Sequence, residues 1–426
     1  MFARRTPSGL CRRWPSLFAV LTLLCLIAAN ASAQVVVVVE NVDGSLISGR
    51  LEQLSAKQLF VRSDEKVEPL SIERVLRLTI ASEQRIPSTA SFPPATPVPS
   101  ATPWLLTSTG DWLRVQPLMI DEESVVARWS RIPDQPTVTV PLEVCRGAIL
   151  QLSEDPYRQG IEFASLADND QTTDRIVLQN GDRIEGEFIG LEEGSLQLET
   201  ALGMTSAEFE AIRSIAFNSE LISTPALPQT HVRVVLRDGS TLRLKSALSN
   251  GGVLLGETLA DSPISLPLEH VAEIWFFDAD RVPVSSMPIA DTQLTPYLSV
   301  RRLPQLDRNV LGGPLRVQGS SVASGIGMSS GSEISFALDA RFNTLLGRVA
   351  LDDAAAPSGS VQFEVVGDGT MLWNSGPITV ESGPVELPRL DVSAVASLVL
   401  KVDVADRGPV RDIANWCDLV LLKSAQ

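Results

Sequence analysis

Leu268-Glu269-His270-Val271-Ala272-Glu273-Ile274 is the fourth appearance of one short pattern. The earlier copies read Ile72-Glu73-Arg74-Val75-Leu76-Arg77-Leu78, Leu142-Glu143-Val144-Cys145-Arg146-Gly147-Ala148 and Phe209-Glu210-Ala211-Ile212-Arg213-Ser214-Ile215. A second marker stands ahead of each copy: Val42-Asp43-Gly44-Ser45, Thr109-Gly110-Asp111, Gln179-Asn180-Gly181-Asp182 and Arg237-Asp238-Gly239-Ser240. Glycine beside Asp or Asn between apolar runs marks a tight hairpin, because the turn needs a positive φ. From turn glycine to glutamate the separations are 29, 33, 29 and 30 residues. Two unrelated markers do not hold one spacing four times by chance, so residues 34–278 are a repeat array.

Between the markers the chain alternates apolar and polar side chains, as in Arg183-Ile184-Glu185-Gly186-Glu187-Phe188-Ile189, the period of a half-buried strand. A unit of this length with about five short strands suits a small, strongly bent barrel, which leaves no long open edge. The architecture is similar to Sm-like or SH3-like barrels, with the glutamate piece as a short helical turn before the last strand. The expected fold class is therefore all-β. Its repeats span 34–85, 104–153, 174–219 and 231–278. In this alignment Cys145 takes the place of Val75, Ile212 and Val271, which makes it a core residue. A Pro-rich linker at 86–103 is expected to act as an extended spacer that favours independence of the first repeat. Asp155 to Thr173, Asn218 to Thr230 and Asp278 to Pro296 read as polar breaks.

The N-terminus has the build of a signal peptide over residues 1–33. Arg4, Arg5, Arg12 and Arg13 precede an apolar run from Leu17 to Ala29, and Ala31-Ser32-Ala33 supplies the small residues of a cleavage site. The run is short of the ~20 residues a spanning helix needs, so the expectation is export to periplasm or exterior, with no transmembrane segment afterwards. Loss of these residues takes the net charge from −16 to −20. Such a balance argues against binding a phosphate backbone, so no nucleic-acid partner is expected. Of four cysteines, Cys145 and Cys417 remain after cleavage, and both are expected as free buried thiols.

Enzymatic chemistry finds few residues to work with. Nucleophilic catalysis of the Ser-His-Asp or Cys-His type needs a histidine base, and only His231 and His270 exist. The glutamates Glu73, Glu143, Glu210 and Glu269 belong to separate repeats, whereas catalytic carboxylates must face one substrate. The expectation is a non-catalytic protein.

The last third reads differently. Its marked pieces are Val322-Ala323-Ser324-Gly325-Ile326-Gly327-Met328-Ser329, then Ser360-Val361-Gln362-Phe363-Glu364-Val365, then Arg411-Asp412-Ile413-Ala414-Asn415-Trp416-Cys417-Asp418. Together they resemble the NPCBM family, the carbohydrate-binding module found beside family-98 glycoside hydrolases. The resemblance implies a galactose-binding-like β-sandwich (jelly roll) over residues 296–426 and a glycan, of galactose type, as partner. It also implies a structural role for Asp412, Trp416 and Asp418 in the closing segment. Sugar binding needs an apolar face to stack on and polar groups to orient hydroxyls, and Trp373, Ser329 and Asp368 are the candidates. Folds of this kind often hold a structural calcium, for which Asp352 and Asp353 offer hard oxygen ligands. One departure matters: after Gly325-Ile326-Gly327 the family places an apolar residue and then a histidine, whereas this chain has Met328 and Ser329. Two functions fit this sequence: glycan binding by the module, with the repeats docking to envelope proteins, or a structural component of the cell envelope whose module no longer binds sugar. A glycoside hydrolase is disfavoured, since short repeats fill the residues a catalytic barrel of ~250 would need.

Overall fold

A computed structural model describes residues 35–64, 66–81, 102–132, 134, 136–192, 194–295, 297 and 301–423. The expected leader at 1–33 and most of the expected linker at 86–103 lie outside the described residues. Among the described residues the chain is all-β apart from one α-helix, α1 (Pro156–Ala167), and short 3₁₀ turns.

Four times the chain runs through a hairpin and short strands, makes one 3₁₀ turn, and enters a closing strand. The closing strands are Val75–Ile80, Cys145–Ile149, Ile212–Ala216 and Val271–Phe277. Each pairs back on the strand that opened its unit, so every unit curls shut. Gly44, Gly110, Gly181 and Gly239 have φ of 86°, 81°, 90° and 92°. Their N–H groups donate to Asn41, Thr107, Leu178 and Leu236 at 2.9–3.0 Å, one turn geometry repeated four times. Each of the four glutamates lies in the 3₁₀ turn of its own unit. Val75, Cys145, Ile212 and Val271 all begin a closing strand and are all 0 % exposed.

The units are not independent. Val75–Ile80 pairs with Val271–Phe277, placing Arg77 opposite Trp275 and Thr79 opposite Glu273. Cys145–Ile149 pairs with Ile212–Ala216. Unit one is thus joined to unit four, and unit two to unit three, with one continuous apolar core running through all four. A long linker after the first unit costs little entropy to close, so its composition gave no measure of that unit's docking.

The C-terminal sandwich packs a seven-stranded sheet on a five-stranded one. Ile326, Val349 and Trp416 from one sheet meet Phe336, Phe363 and Leu400 from the other in its core. It takes in strands ahead of residue 296: Arg281–Pro283 pairs with Ile413–Leu422, and Asp291–Leu294 with Ser332–Ala337. Strands of three and four residues are too short to carry a periodicity signal.

Several contacts join array to sandwich, among them the ion pairs of Arg233 and Arg243 with Asp307 at 2.8 and 2.9 Å, and two elements stand out. One is a buried charge ladder. Arg77 pairs with Glu40 at 2.7 Å and Glu273 at 3.3 Å, while Arg348 of the sandwich pairs with Glu273 at 3.9 Å and with Asp418. Around it, Leu76, Trp275 and Phe277 pack on Leu346, Val420 and Leu422. The other element is α1, in a stretch that the sequence offered as a polar break. Asp155 caps it, its carboxylate accepting from the Tyr157 N–H at 3.0 Å, with Pro156 in the first turn. Phe163 and Leu166 bury against Trp104, Trp112 and Ile149.

Candidate functional site

The sandwich carries a cleft of about 300 Å³ beside the end of strand Gly325–Ser329. Ser329, Arg302, Arg411, Asp412, Tyr297 and Tyr157 are among its walls. Ser329 stands where the resemblance leads one to expect histidine, and its hydroxyl lies 3.4 Å from that of Ser332. Asp412 is 4 % exposed. One carboxylate oxygen accepts from the Ser360 N–H at 3.1 Å, while the other is buried without a hydrogen-bond partner. Burial raises its proton affinity above that of an ordinary carboxylate; the Ser360 N–H bond and, more weakly, the nearby Ser330 hydroxyl pull the other way. Arg411 holds a left-handed backbone, φ 58°, uncommon for a residue with a β-carbon. Its Nη1 donates to the Ala356 carbonyl at 2.5 Å, which fixes the side chain.

A buried acceptor without a donor is costly unless a ligand or water supplies one. Arginine presents several donors in a rigid fork. The cleft therefore offers what a polyhydroxylated ligand needs: an acceptor, donors and aromatic walls.

The six sequence-predicted residues outside Asp412 and Ser329 fall elsewhere. Trp373 sits on the edge strand Thr370–Thr379 of the five-stranded sheet, half-buried against the core, and it does not line the cleft. Asp368, at a hairpin turn with φ 47°, clamps the Ala396 and Ser397 N–H groups at 3.0 and 2.8 Å. Trp416 is fully buried, edge to face with Phe363 at 5.0 Å. Asp418 accepts from the Ser324 N–H at 3.1 Å and pairs with Arg348.

Asp352 and Asp353 do not fit calcium. Asp352 is buried, and its oxygens accept from Asn309 Nδ2, Asn415 Nδ2 and the N–H groups of Arg316 and Ala354 at 2.7–3.2 Å. Lone pairs occupied by donors cannot coordinate a cation. Burial, with the neighbouring Asp353 charge, pushes Asp352 up to about 6. Asp353 holds the Gly319 N–H at 3.0 Å. Among the described residues no group of three His, Cys, Asp or Glu side chains could hold a metal.

His231 stacks on Phe277 at 5.2 Å, with Nδ1 2.9 Å from the Pro228 carbonyl, a structural setting. Cys145 and Cys417 are buried and unpaired. Tyr157, Arg302 and Arg411 were missed from the sequence. Asp155-Pro156 at the head of a helical period was the signal available for the first.

A two-sheet sandwich with a polar cleft at its strand ends has the fold of a carbohydrate-binding module. The model of the NPCBM/NEW2 domain family matches residues 282–422. Among solved structures, the chain is similar to a CBM51 module from Clostridium perfringens GH95 in complex with methyl-galactose: 21% identity, 33% of this chain and 99% of that one, TM-score 0.30. Another is CBM51-2 with GlcNAc and INT domains from Clostridium perfringens ZmpB, at 20% identity, 52% and 44% coverage and TM-score 0.31. A third is the tandem CBM51 modules of Sp3GH98 from Streptococcus pneumoniae, at 12% identity, 59% and 88% coverage and TM-score 0.30. The chain thus spans less than half the length of the second of these. No curated protein matches it. No helix among the described residues is long and apolar enough to cross a membrane.

Proposed function

We propose that this is an exported, non-catalytic protein whose sandwich binds a saccharide in the cleft between Ser329 and Asp412. The observation that carries the reading is the buried, unpartnered carboxylate oxygen of Asp412 in the wall of a cleft of about 300 Å³, the lower end of the range for small-molecule sites. In this reading a sugar hydroxyl donates to that oxygen, and the arginines donate to ring and hydroxyl oxygens. The family match over residues 282–422 supports it. The repeat array, sharing one core, is a rigid mount for the module and offers surface for envelope proteins.

The test is a glycan array probed with the purified chain. Reproducible binding that Asp412→Asn abolishes, with the circular dichroism spectrum unchanged, is the expected result. Met328-Ser329, in place of the family's apolar residue and histidine, favours one other reading, a protein-interaction component. A folded chain silent on every glycan, yet retaining an envelope partner that free sugars do not displace, would replace the first reading with that one.

A further inference from the structure

The cleft is not built by the NPCBM/NEW2 domain alone. Tyr157 in its wall comes from α1, more than a hundred residues ahead of residues 282–422 in the chain. The helix is seated firmly. Gly160 lies so close to Leu311 that a β-carbon there would overlap that side chain, and Arg308 and Arg316 bond Asp168 and Gln159 at 2.7 Å.

Tyr157 in turn touches both arginines of the cleft. Its hydroxyl accepts from Arg302 Nη2 at 2.8 Å, and the Arg411 guanidinium lies over its ring, 5.2 Å from the centroid. A cation above an aromatic face is attracted to it without losing its charge. Arg302 and Arg411 thus face the cleft with one carboxylate, Asp412, in a chain of net charge −16. Asp155, 3.9 Å from Arg411, offsets part of that charge, while Arg302 is held by a neutral hydroxyl. Guanidinium groups match a carboxylate in shape as well as charge.

Resting on the saccharide reading of the same cleft, we propose that Tyr157 completes the site and positions Arg302 and Arg411 for an acidic sugar. The sugar carboxylate meets the arginines, and a ring hydroxyl donates to Asp412. Tyr157 is a positioning residue for the two cations, and it sets the preference for an acidic over a neutral sugar.

Calorimetric titration of the purified chain with two pairs of methyl glycosides, galactoside against galacturonide and glucoside against glucuronide, tests this. Each pair differs only in a CH₂OH or a carboxylate at C6. In at least one pair the uronide binds about tenfold tighter, and Tyr157→Ala brings the ratio near one. Tyr157→Phe, which keeps the ring beneath Arg411 and loses the hydroxyl, falls between. Neutral sugars bound as tightly as their uronides in both pairs overturn the proposal, as does Tyr157→Ala lowering both affinities with the ratio intact. Glycan-array hits confined to neutral sugars overturn it too and leave saccharide binding standing, whereas an array silent throughout removes both.

Discussion

The two junctions in the repeat array share one geometry and differ in chemistry. In both, closing strands of two units pair antiparallel. The third residue of each closing strand decides what packs over the pair. At the junction of units one and four these residues are Arg77 and Glu273, which form an ion pair and extend through Arg348 to Asp418 in the sandwich. At the junction of units two and three they are Gly147 and Ser214. A β-carbon on Gly147 would run into the Ile215 carbonyl and the Leu166 side chain of α1. A charged pair thus recruits a charged cover, the sandwich, and a small pair admits an apolar one, the helix. Strand pairs of one register were put to separate uses by the residues at one aligned position.

The largest expected effect comes from breaking the charged junction. Arg348→Met removes the ion-pair partner of the buried Asp418 and leaves it beside Glu273, a like charge, and breaking a buried pair costs about 3–5 kcal/mol. Denaturant unfolding of the purified chain measures this. Adding Asp418→Asn to the same variant should recover part of the loss. If Arg348→Met proves neutral, the ladder does not hold the two bodies together.

The next effect is specific to pH. His231 stacks beneath the same junction, and burial, then the nearby Arg233 charge, push its imidazole down to about 4. A folded pKa below the unfolded one of 6.5 means stability that is complete above 6.5 and lost as pH falls toward 4. The stability difference between wild type and His231→Phe should therefore shrink over that window, by up to about 3 kcal/mol. The other junction supplies the contrast. Its Cys145 thiol is pushed up to about 12 by burial, so Cys145→Ala should show a difference independent of pH over the same range.

Smaller again is the apolar junction. Gly147→Ala asks for a β-carbon at φ 145° in a space already filled, and should cost about 1–3 kcal/mol. Gly181→Ala, at φ 90° in a turn with nothing near the added carbon, should cost about 1 kcal/mol or less. Equal losses would mean that backbone conformation alone sets both, and that α1 is not pressed against the strand pair.

Much of this was legible in the sequence, and the limit has a physical cause. Turn glycines and strand alternation are local constraints, so four copies of them announced four units and the core position of Cys145. Even the junction chemistry was written at one aligned position: Arg77, Gly147, Ser214 and Glu273. What aligned positions cannot state is which unit meets which, because antiparallel pairing of closing strands is a long-range choice. The site divided in the same way. Asp412 and Ser329 lie within the motifs that carry the resemblance to NPCBM, and both are in the cleft. Trp373 was chosen for its type alone, and it sits on an edge strand elsewhere. Tyr157 arrives from another part of the chain, and no pattern inside the module could announce it.

The smallest expected effect is a zero that separates the sandwich's two acidic positions. Asp412 has a carboxylate oxygen to spare, and Asp352 has none. A structural calcium present at a hundred times its dissociation constant would stabilise the folded chain by about 2.7 kcal/mol, several degrees in melting temperature. With both Asp352 oxygens accepting N–H donors, calcium against chelator should shift the melting temperature by less than about 1 °C, and glycan binding should be unchanged. Asp352→Asn should destabilise instead, by about 1–3 kcal/mol, because an amide N–H would face donors where an acceptor is needed. A melting temperature that rises by several degrees on adding calcium, and no longer does so in Asp352→Asn, would show that the donors around Asp352 give way to the ion.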